Sequence, residues 1–293
     1  MAPPLLSTNS ELKWALNDYE SRTGTQSKHV EFLPGTGNQS YRIDFAEGSM
    51  VLRINGNTEH LGVDRQLEKQ VLKAVAGTGI TPQTRLWHEK YLVVDFVQNH
   101  DRAAAASVAK TLRKLHQLPV PKDLMNAPIW TPAQTVRDYL AQTNGIDALF
   151  FDHLAFLETY DWSSMTNAIC HCDLNPNNIL KPTTGGAALI DWEYARYGPI
   201  AYDIAVYAQA HDLDSAQLNE FLRHYPAAPN IAAITACRFA YKVIELLWLS
   251  INELPREPIE KGRVEKVRVE KVRAAAEQLS EERLTMINQK SIR

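Results

Sequence analysis

The most informative stretch of this chain is HCDLNPNNIL, residues 171–180, and LIDWE, residues 189–193, follows it. Asp173 and Asn178 share one loop, and Asp191 comes thirteen residues after Asn178. Carboxylate and amide oxygens are hard ligands, which suit Mg²⁺ better than zinc. Asp173 adds a carboxylate that can accept the proton of a hydroxyl. The residue types therefore predict a magnesium site beside a general base.

Short apolar runs predict strands around this loop, at 168–171, 178–181 and 187–190. A hairpin between the second and third strands would bring Asn178 and Asp191 close together. The alternative is that the Asn, Asp and Pro residues only form turns in a loop with no chemistry.

The spacing HxDxxxxN, followed by an apolar strand that ends in Asp, is typical of the catalytic and metal-binding loops of kinases. A lone HxD would be weak evidence, whereas the longer pattern is specific. A kinase also needs a loop over the phosphates, a cation on the third strand and an acid on the following helix.

The first hundred residues contain these three features in that order. Arg53 lies on the predicted third strand, 50–54, and Glu68 lies fifteen residues later in a predicted helix, 61–76. Alone, these two residues would be an ordinary surface charge pair; with the C-terminal motif, we expect a functional ion pair. Glycines let a backbone approach phosphate closely. The candidate phosphate-loop residues, between predicted strands 30–33 and 41–45, are Gly35, Thr36, Gly37, Asn38 and Ser40.

The periodicity predicts an α+β fold with two lobes. A β-rich N-lobe, 1–98, is followed by a mostly helical C-lobe, 99–293, with a hinge near residues 95–99. The other predicted elements are a helix at 10–22, a hairpin at 84–87 and 91–97, and helices at 102–118, 132–143, 147–160, 200–210, 214–224 and 229–254.

Composition excludes several classes of protein. A net charge of −3 gives no basic excess for a nucleic-acid binder. The apolar stretch 231–251 carries Arg238, Lys242 and Glu245, which indicates a core helix and no membrane span. Three cysteines without zinc spacing indicate reduced thiols, and the N-terminus shows no signal-peptide pattern. We therefore expect a cytoplasmic protein without nucleic-acid or membrane partners, of undetermined oligomeric state.

The C-terminal extension, 255–293, differs in composition from the rest. It holds ten Lys/Arg and seven Asp/Glu, and VEKVR occurs twice in succession at 264–273. A five-residue period fits neither a helix nor a strand face, so we expect a solvated, frayed helix and no core element. A tail for nucleic acid or a partner protein is the minority interpretation.

The sequence resembles the choline/ethanolamine kinase and thiamine kinase branch of the aminoglycoside-phosphotransferase-like superfamily, over about residues 30 to 250. The Arg on the third strand and the string IDWEYA favour this branch over antibiotic kinases. The matching segments are 33–43, 51–54, 79–82, 112–116, 171–180 and 189–195, together with Asp203.

This resemblance implies a protein-kinase-like fold and phosphorylation of a small-molecule hydroxyl with ATP and Mg²⁺. It implies that Asp173 is the catalytic base and that Asn178 and Asp191 hold the metal. Arg53 with Glu68 would order the ATP phosphates. The hinge that receives adenine would include Asp95 and Val97.

The substrate is predicted to be a cationic alcohol, such as choline, ethanolamine or thiamine. An aminoglycoside or another small molecule on the same fold is the alternative, and a non-catalytic nucleotide-binding protein is a third. No activation segment follows Asp191, so a protein substrate is not expected.

Aromatic faces and acids attract organic cations. Trp192, Glu193 and Trp248 are the candidate substrate contacts, and Trp248 shares a predicted helix face with Tyr241 and Glu245. The alternative is that the aromatic residues pack the core.

Overall fold

The computed structural model describes residues 9–35, 38–99, 101–143, 147–252 and 261–291. It divides into two compact units: Met1–Pro119 with Pro176–Tyr194, and Val120–Asn175 with Ala195–Arg293. This division differs from the boundary predicted at residue 98. The segment Pro176–Tyr194, which includes Asn178 and Asp191, groups with the N-terminal residues.

The first unit contains a five-stranded antiparallel sheet in the order β1-β2-β3-β5-β4. Ser40 of β2 pairs directly with Arg53 of β3 across the ladder. The strands are β1 (His29–Leu33), β2 (Gln39–Asp44), β3 (Ser49–Ile54), β4 (Thr84–Trp87) and β5 (Tyr91–Asp95).

Helix α1 (Ser10–Thr23) packs its apolar stripe on this sheet. Asn9 caps the helix by accepting a hydrogen bond from the backbone N–H of Leu12 at 3.0 Å. Leu12, Leu16 and Tyr19 are buried together with Tyr41, Ile43, Leu52, Tyr91 and Val93 of the strands. Burial of alternate strand residues sets which face of the sheet meets the helix.

Helix α2 (Arg65–Val75) carries the predicted acid. Asp64 caps it by accepting from the N–H groups of Gln66 and Leu67 at 2.9 and 3.0 Å. Glu68, Val71, Leu72 and Val75 are its buried residues. Glu68 therefore lies on the core-facing side of the helix.

Helix α3 (Ala105–His116) and a short hairpin complete the first unit. Strands β7 (Ile179–Leu180) and β8 (Ala188–Leu189) pair antiparallel, as predicted. Thr111 Oγ1 on α3 donates to the carbonyl of Ala187 at 3.1 Å, and Leu189 N–H donates to the carbonyl of Ile80 at 2.8 Å. These bonds hold the hairpin in place.

The second unit is mainly helical. Helix α9 (Ile231–Asn252), which has ten buried side chains, packs against α7 (Ile200–Ala210) and α5 (Pro132–Leu140). The helices are α4 (Lys122–Met125), α5 (Pro132–Leu140), α6 (Phe151–Thr159), α7 (Ile200–Ala210), α8 (Ser215–Arg223), α9 (Ile231–Asn252) and α10 (Lys261–Ser291). The predicted α+β class, with strands first and helices after, is confirmed.

Strand β9 (Arg196–Pro199) of the second unit was not predicted from the sequence. It pairs antiparallel with β6 (Asn167–Cys170), which was predicted. The strand pattern of β9 is not apparent in the sequence because it contains Gly198 and Pro199, and both residue types are uncommon in strands. Gly198 is required by packing, because a Cβ there would lie 2.9 Å from Cε3 of Trp130.

The expectation that the C-terminal extension is no core element is wrong for the part whose side chains are described. Val272, Ala276 and Leu279 are buried at a spacing of four and three residues, which is one face of a helix. Lys242 Nζ on α9 binds Glu282 Oε1 at 2.8 Å. Within the repeat at 264–273, side chains are described for residues 271–273, and Val272 is the one among these three that belongs to this face.

Among the described residues, no helix combines the length and the apolar character that crossing a bilayer requires. Helix α9 is long enough but carries charged residues along its length, as the sequence predicted.

Candidate active site

The loop after β6 carries the predicted catalytic base. Asp203, fully buried on α7, accepts the N–H groups of His171 at 2.8 Å and Cys172 at 2.7 Å. Cys172 has a φ of 65°, a left-handed conformation that a residue with a Cβ adopts at a cost. Two bonds to one buried carboxylate hold the loop in this conformation.

Asp173 itself is half-buried within the second unit. Its Oδ1 accepts from Asn175 Nδ2 at 3.0 Å, and its N–H donates to Nδ1 of the buried His171 at 3.3 Å. His171 therefore shapes the loop as a hydrogen-bond acceptor. The bond from Asn175 orients the carboxylate of Asp173.

The flanking thiols are not activated. Burial and then the charge of Asp203 raise the pKa of both Cys170 and Cys172 well above its usual value. A thiol is a nucleophile only as the thiolate. Both cysteines therefore serve as packing residues.

Asn178 and Asp191 lie at the two ends of the β7–β8 hairpin in the first unit. The Ile190 N–H donates to the Asn178 carbonyl at 3.0 Å, which confirms that the hairpin brings these two segments together. Asp191 has a φ of 64° and is 32% exposed at its side chain. A buried amide and an accessible carboxylate offer oxygen donors of the kind that Mg²⁺ takes, so the residues fit the predicted ion.

The predicted ion pair between β3 and α2 is present. Arg53 Nη2 lies 2.6 Å from Glu68 Oε1, and the two side chains are 8% and 0% exposed. Arg53 Nη1 also lies 2.9 Å from Asp191 Oδ1. Burial alone would lower the pKa of Arg53, but the charges of Glu68, Asp191 and Glu193 outweigh it and raise that pKa.

Arg65 was missed by the sequence reasoning. Its Nη1 lies 2.9 Å from Glu68 Oε2 and 2.9 Å from Glu193 Oε2, and the side chain is 13% exposed. The spacing of three residues between Arg65 and Glu68 on one helix was the signal that could have found it. We call Arg53, Arg65, Glu68, Asp191 and Glu193 the ion-pair cluster.

Asn55 was also missed. Its Oδ1 accepts from Arg53 Nε at 3.2 Å and Nη2 at 3.0 Å. Its Nδ2 donates to the Glu89 carbonyl at 2.7 Å. Asn55 thus orients the guanidinium of Arg53 from the residue just after β3.

The candidate phosphate loop is described in part. Thr36 and Gly37 lie outside the described residues, and Gly35 is exposed. Asn38 is buried, and its Nδ2 donates to Glu193 Oε2 at 2.9 Å. No sequence signal links these two residues, which are 155 positions apart.

The predicted hinge residues follow the fifth strand. Asp95, the last residue of β5, binds Arg85 of β4 through Oδ2 at 3.0 Å. Val97 is half-buried just beyond it. The carboxylate of Asp95 is thus engaged by the neighbouring strand, and the adenine contacts stay a prediction.

The structure speaks against Trp192 as a substrate contact. Its side chain is 2% exposed, and its indole N–H donates to Thr81 Oγ1 at 3.1 Å and to the Leu189 carbonyl at 3.3 Å. A ring this buried has no open face for a cation, so Trp192 is a packing residue.

Glu193, a predicted substrate contact, belongs to the ion-pair cluster of the first unit. Burial first, and then the negative charge of Asp191, raise the pKa of Glu193, while Arg53 and Arg65 oppose the shift. Within the first unit its carboxylate faces Asn38 and Arg65. Its carboxylate thus contacts Asn38 of the candidate phosphate loop, and its role as a substrate contact stays a prediction.

Tyr241, Glu245 and Trp248 lie on one face of α9, at the spacing predicted, and we call them the acid–aromatic face. Burial first, and then the charges of Glu245 and Asp173, raise the pKa of Tyr241. Partial desolvation raises the pKa of Glu245 as well, although more than a third of this residue is exposed. Within the second unit, Asp173 is thus close enough to this face to act on it electrostatically.

Comparison with known proteins identifies relatives. Residues 29–239 match the phosphotransferase enzyme family. Probable choline kinase 3 from Arabidopsis thaliana is 28% identical over 176 residues, which cover 53% of this chain and 49% of that protein. Ethanolamine kinase 1 from Mus musculus is 24% identical over 248 residues, 73% of this chain and 68% of that protein. The match to the plant protein thus spans about half of its length.

A solved structure has the same fold. Choline kinase LicA from Streptococcus pneumoniae superimposes with a TM-score of 0.74 at 18% identity, covering 92% of this chain and all of that one. The kinase-like fold and the resemblance to choline and ethanolamine kinases are confirmed.

Proposed function

Because this chain belongs to the phosphotransferase enzyme family, we propose that it is an ATP-dependent kinase for the hydroxyl of a small cationic alcohol. Choline and ethanolamine are the leading substrates, and thiamine is the third candidate. The observation that carries the proposal is the geometry of the loop after β6, in which buried Asp203 holds His171 and Cys172 and Asn175 orients the carboxylate of Asp173.

Asp173 is the proposed catalytic base. One oxygen of its carboxylate accepts the proton of the substrate hydroxyl as the phosphoryl group is transferred to that hydroxyl. The bond from Asn175 orients this group before the substrate arrives. Holding base and hydroxyl in the reacting geometry is a large part of the rate enhancement in phosphoryl transfer.

Arg53 is the proposed phosphate contact. Its guanidinium is fixed by Glu68 and Asn55, so its charge is oriented in advance. Magnesium bound by Asn178 and Asp191 would neutralise developing negative charge on the phosphates.

The acid–aromatic face is the proposed recognition site for the cation. A cation over an exposed to desolvated aromatic ring gains about 0.5–2 kcal/mol. Glu245 adds a carboxylate one helical turn from Tyr241. A neutral sugar alcohol would gain neither cation–π nor ion-pair energy from these contacts, which favours cationic substrates such as choline.

An ADP-release assay with Mg²⁺-ATP tests this function against choline, ethanolamine, thiamine and kanamycin. We expect turnover with one of the first three. Asp173→Asn should lower that turnover by about 10²–10⁴-fold, since it removes the general base, and should leave ATP binding intact. Asp138→Asn, an exposed aspartate of α5 in the same unit, is the matched control and should keep wild-type rates.

Two results would refute the proposal. Turnover with kanamycin alone would assign the antibiotic-kinase function. Full turnover in Asp173→Asn would remove Asp173 as the base.

A further inference from the structure

Arg65 is a buried cation to which the proposed mechanism gives no role. Its guanidinium contacts four side chains from separate parts of the first unit: Glu68, Glu193, Asn38 and Thr58. Ordering an arginine in such surroundings costs side-chain entropy and desolvation. A planar fork with five donors can satisfy several acceptors at once, which a lysine cannot do.

One part of this arrangement fixes the end of the candidate phosphate loop. Asn38 Oδ1 accepts from Arg65 Nη2 at 3.2 Å and from the Gly56 N–H at 3.1 Å, while its Nδ2 donates to Glu193. Asn38 is 9% exposed. Both polar atoms of its side-chain amide group thus have partners. Two of these partners, Arg65 and Glu193, also form an ion pair with each other.

The other part divides the charges of the ion-pair cluster. Glu68 gives Oε1 to Arg53 and Oε2 to Arg65. Arg65 also forms an ion pair with Glu193, whereas Arg53 forms its second ion pair with Asp191. Without Arg65, one guanidinium would face three carboxylates, and Oε2 of the fully buried Glu68 would lose its ion-pair partner.

We propose that Arg65 is a positioning residue for the nucleotide. It holds Asn38 and the Arg53–Glu68 pair in one arrangement, so that Asn38 and the proposed phosphate-binding arginine, Arg53, keep a fixed separation. This inference rests on the proposed function for its kinetic test, while its binding test needs ATP alone.

Arg65→Met is the main variant, and Arg22→Met is its matched control. Arg22 also forms an ion pair on a helix of the first unit, with Asp18, but its side chain is 52% exposed. For Arg65→Met we expect KM for ATP to rise and kcat to fall by about tenfold or more each, as small displacements at a site of group transfer allow. KM for the alcohol should stay at its wild-type value, and Arg22→Met should match the wild type.

Arg65→Lys covers the case in which the methionine variant does not fold. It keeps the charge but loses the fork. We expect folded protein with KM for ATP raised by about threefold or more, because lysine cannot span Glu68 and Asn38 together.

A double-mutant cycle with Asn38→Ala tests the route of the effect. If Arg65 acts through Asn38, the losses in ATP affinity from Arg65→Lys and Asn38→Ala combine to less than their sum. Strictly additive losses would overturn the proposed route.

Two further outcomes would overturn the proposal. Folded Arg65 variants with wild-type KM for ATP and kcat would make the residue dispensable, and equal increases in both KM values would make it merely structural. Calorimetry of ATP with Mg²⁺ and no alcohol separates this inference from the proposed function. If the wild type phosphorylates no alcohol but binds ATP, the substrate proposal fails, while weaker ATP binding by the variants still supports Arg65.

Discussion

The ion-pair cluster of the first unit and the acid–aromatic face of the second unit use charge in opposite ways. In the cluster, two arginines and three acids bind one another at 2.6–2.9 Å, and four of the five side chains are at most 13% exposed. On the face, Glu245 lies beside aromatic rings, and its pKa and that of Tyr241 are both raised by desolvation.

This difference separates a general task from a specific one. In the proposed function, the phosphate groups are the same whatever the alcohol, so a rigid and mutually paired set of charges can serve them all. An alcohol substrate differs from one enzyme to the next, and its recognition depends on ring faces and acids that can be exchanged without disturbing such a network.

The largest effect is expected from breaking the cluster at its centre. Glu68→Ala leaves Arg53 and Arg65 without their shared partner, and breaking a buried ion pair costs about 3–5 kcal/mol. Denaturant unfolding measures the loss. Glu11→Ala, an exposed glutamate in the first turn of α1, is the matched control and should lie within about 0.5 kcal/mol of the wild type. If Glu68→Ala lowers the free energy of unfolding by less than about 1 kcal/mol, the ion pairs of Glu68 do not hold the cluster together.

A smaller and more selective effect is expected on the acid–aromatic face. Trp248→Ala should raise KM for the alcohol by about 2- to 30-fold, which corresponds to a cation–π energy of about 0.5–2 kcal/mol. KM for ATP should not change. Trp14→Ala, a 45% exposed tryptophan of the first unit, controls for the loss of an aromatic ring. A rise in both KM values would break the distinction between the two regions.

The smallest effect concerns the attachment of the C-terminal helix. His153 is fully buried, and its Nε2 lies 3.2 Å from the carbonyl of Ala276 on α10. Burial first, and the charge of Arg283, lower the pKa of His153, while the bond to Ala276 and the charge of Asp152 oppose the shift.

The consequence is a loss of stability in mild acid. The unfolded chain takes up a proton near pH 6.5 and the folded chain only at lower pH, so stability falls as pH drops below about 6.5. Each unit between the two pKa values is worth about 1.4 kcal/mol. Thermal unfolding between pH 5 and 7.5 should show a shallower decline for His153→Phe than for the wild type. His29→Gln, which changes an exposed histidine, should keep the wild-type slope; an unchanged slope in His153→Phe would contradict the assignment.

Much of the candidate site could be predicted because its residues are close in sequence or lie on regular elements. Asp173 and Asn178 share one loop, and the hairpin that brings Asn178 towards Asp191 spans few residues. Arg53 and Glu68 follow from a strand and the helix after it. Arg65 could not be singled out from the sequence, because arginine is common at the start of a helix. Its contacts with Glu68 and Glu193 are what distinguish it.

Trp192 and Glu193 show where such reasoning fails. Both are adjacent to Asp191, and both are of types that could bind a cation. The fold instead buries Trp192 and directs Glu193 to Asn38, which lies 155 residues away in the chain. Side-chain direction at a 3₁₀ turn, Trp192–Tyr194, cannot be inferred from the spacing of neighbouring residues.

The class of fold, the loop that carries Asp173, the hairpin between Asn178 and Asp191 and the Arg53–Glu68 pair could all be predicted from the sequence, because local spacing controls which residues share a loop, strand or helix face. Three contacts became visible only in the folded chain: Asp203 holds the loop of Asp173, Arg65 joins Asn38 to the ion-pair cluster, and the C-terminal helix packs on α9. Each of these depends on residues distant in the chain meeting in a buried environment. There, burial and pairing, and not the residue type, determine what a charged side chain can do.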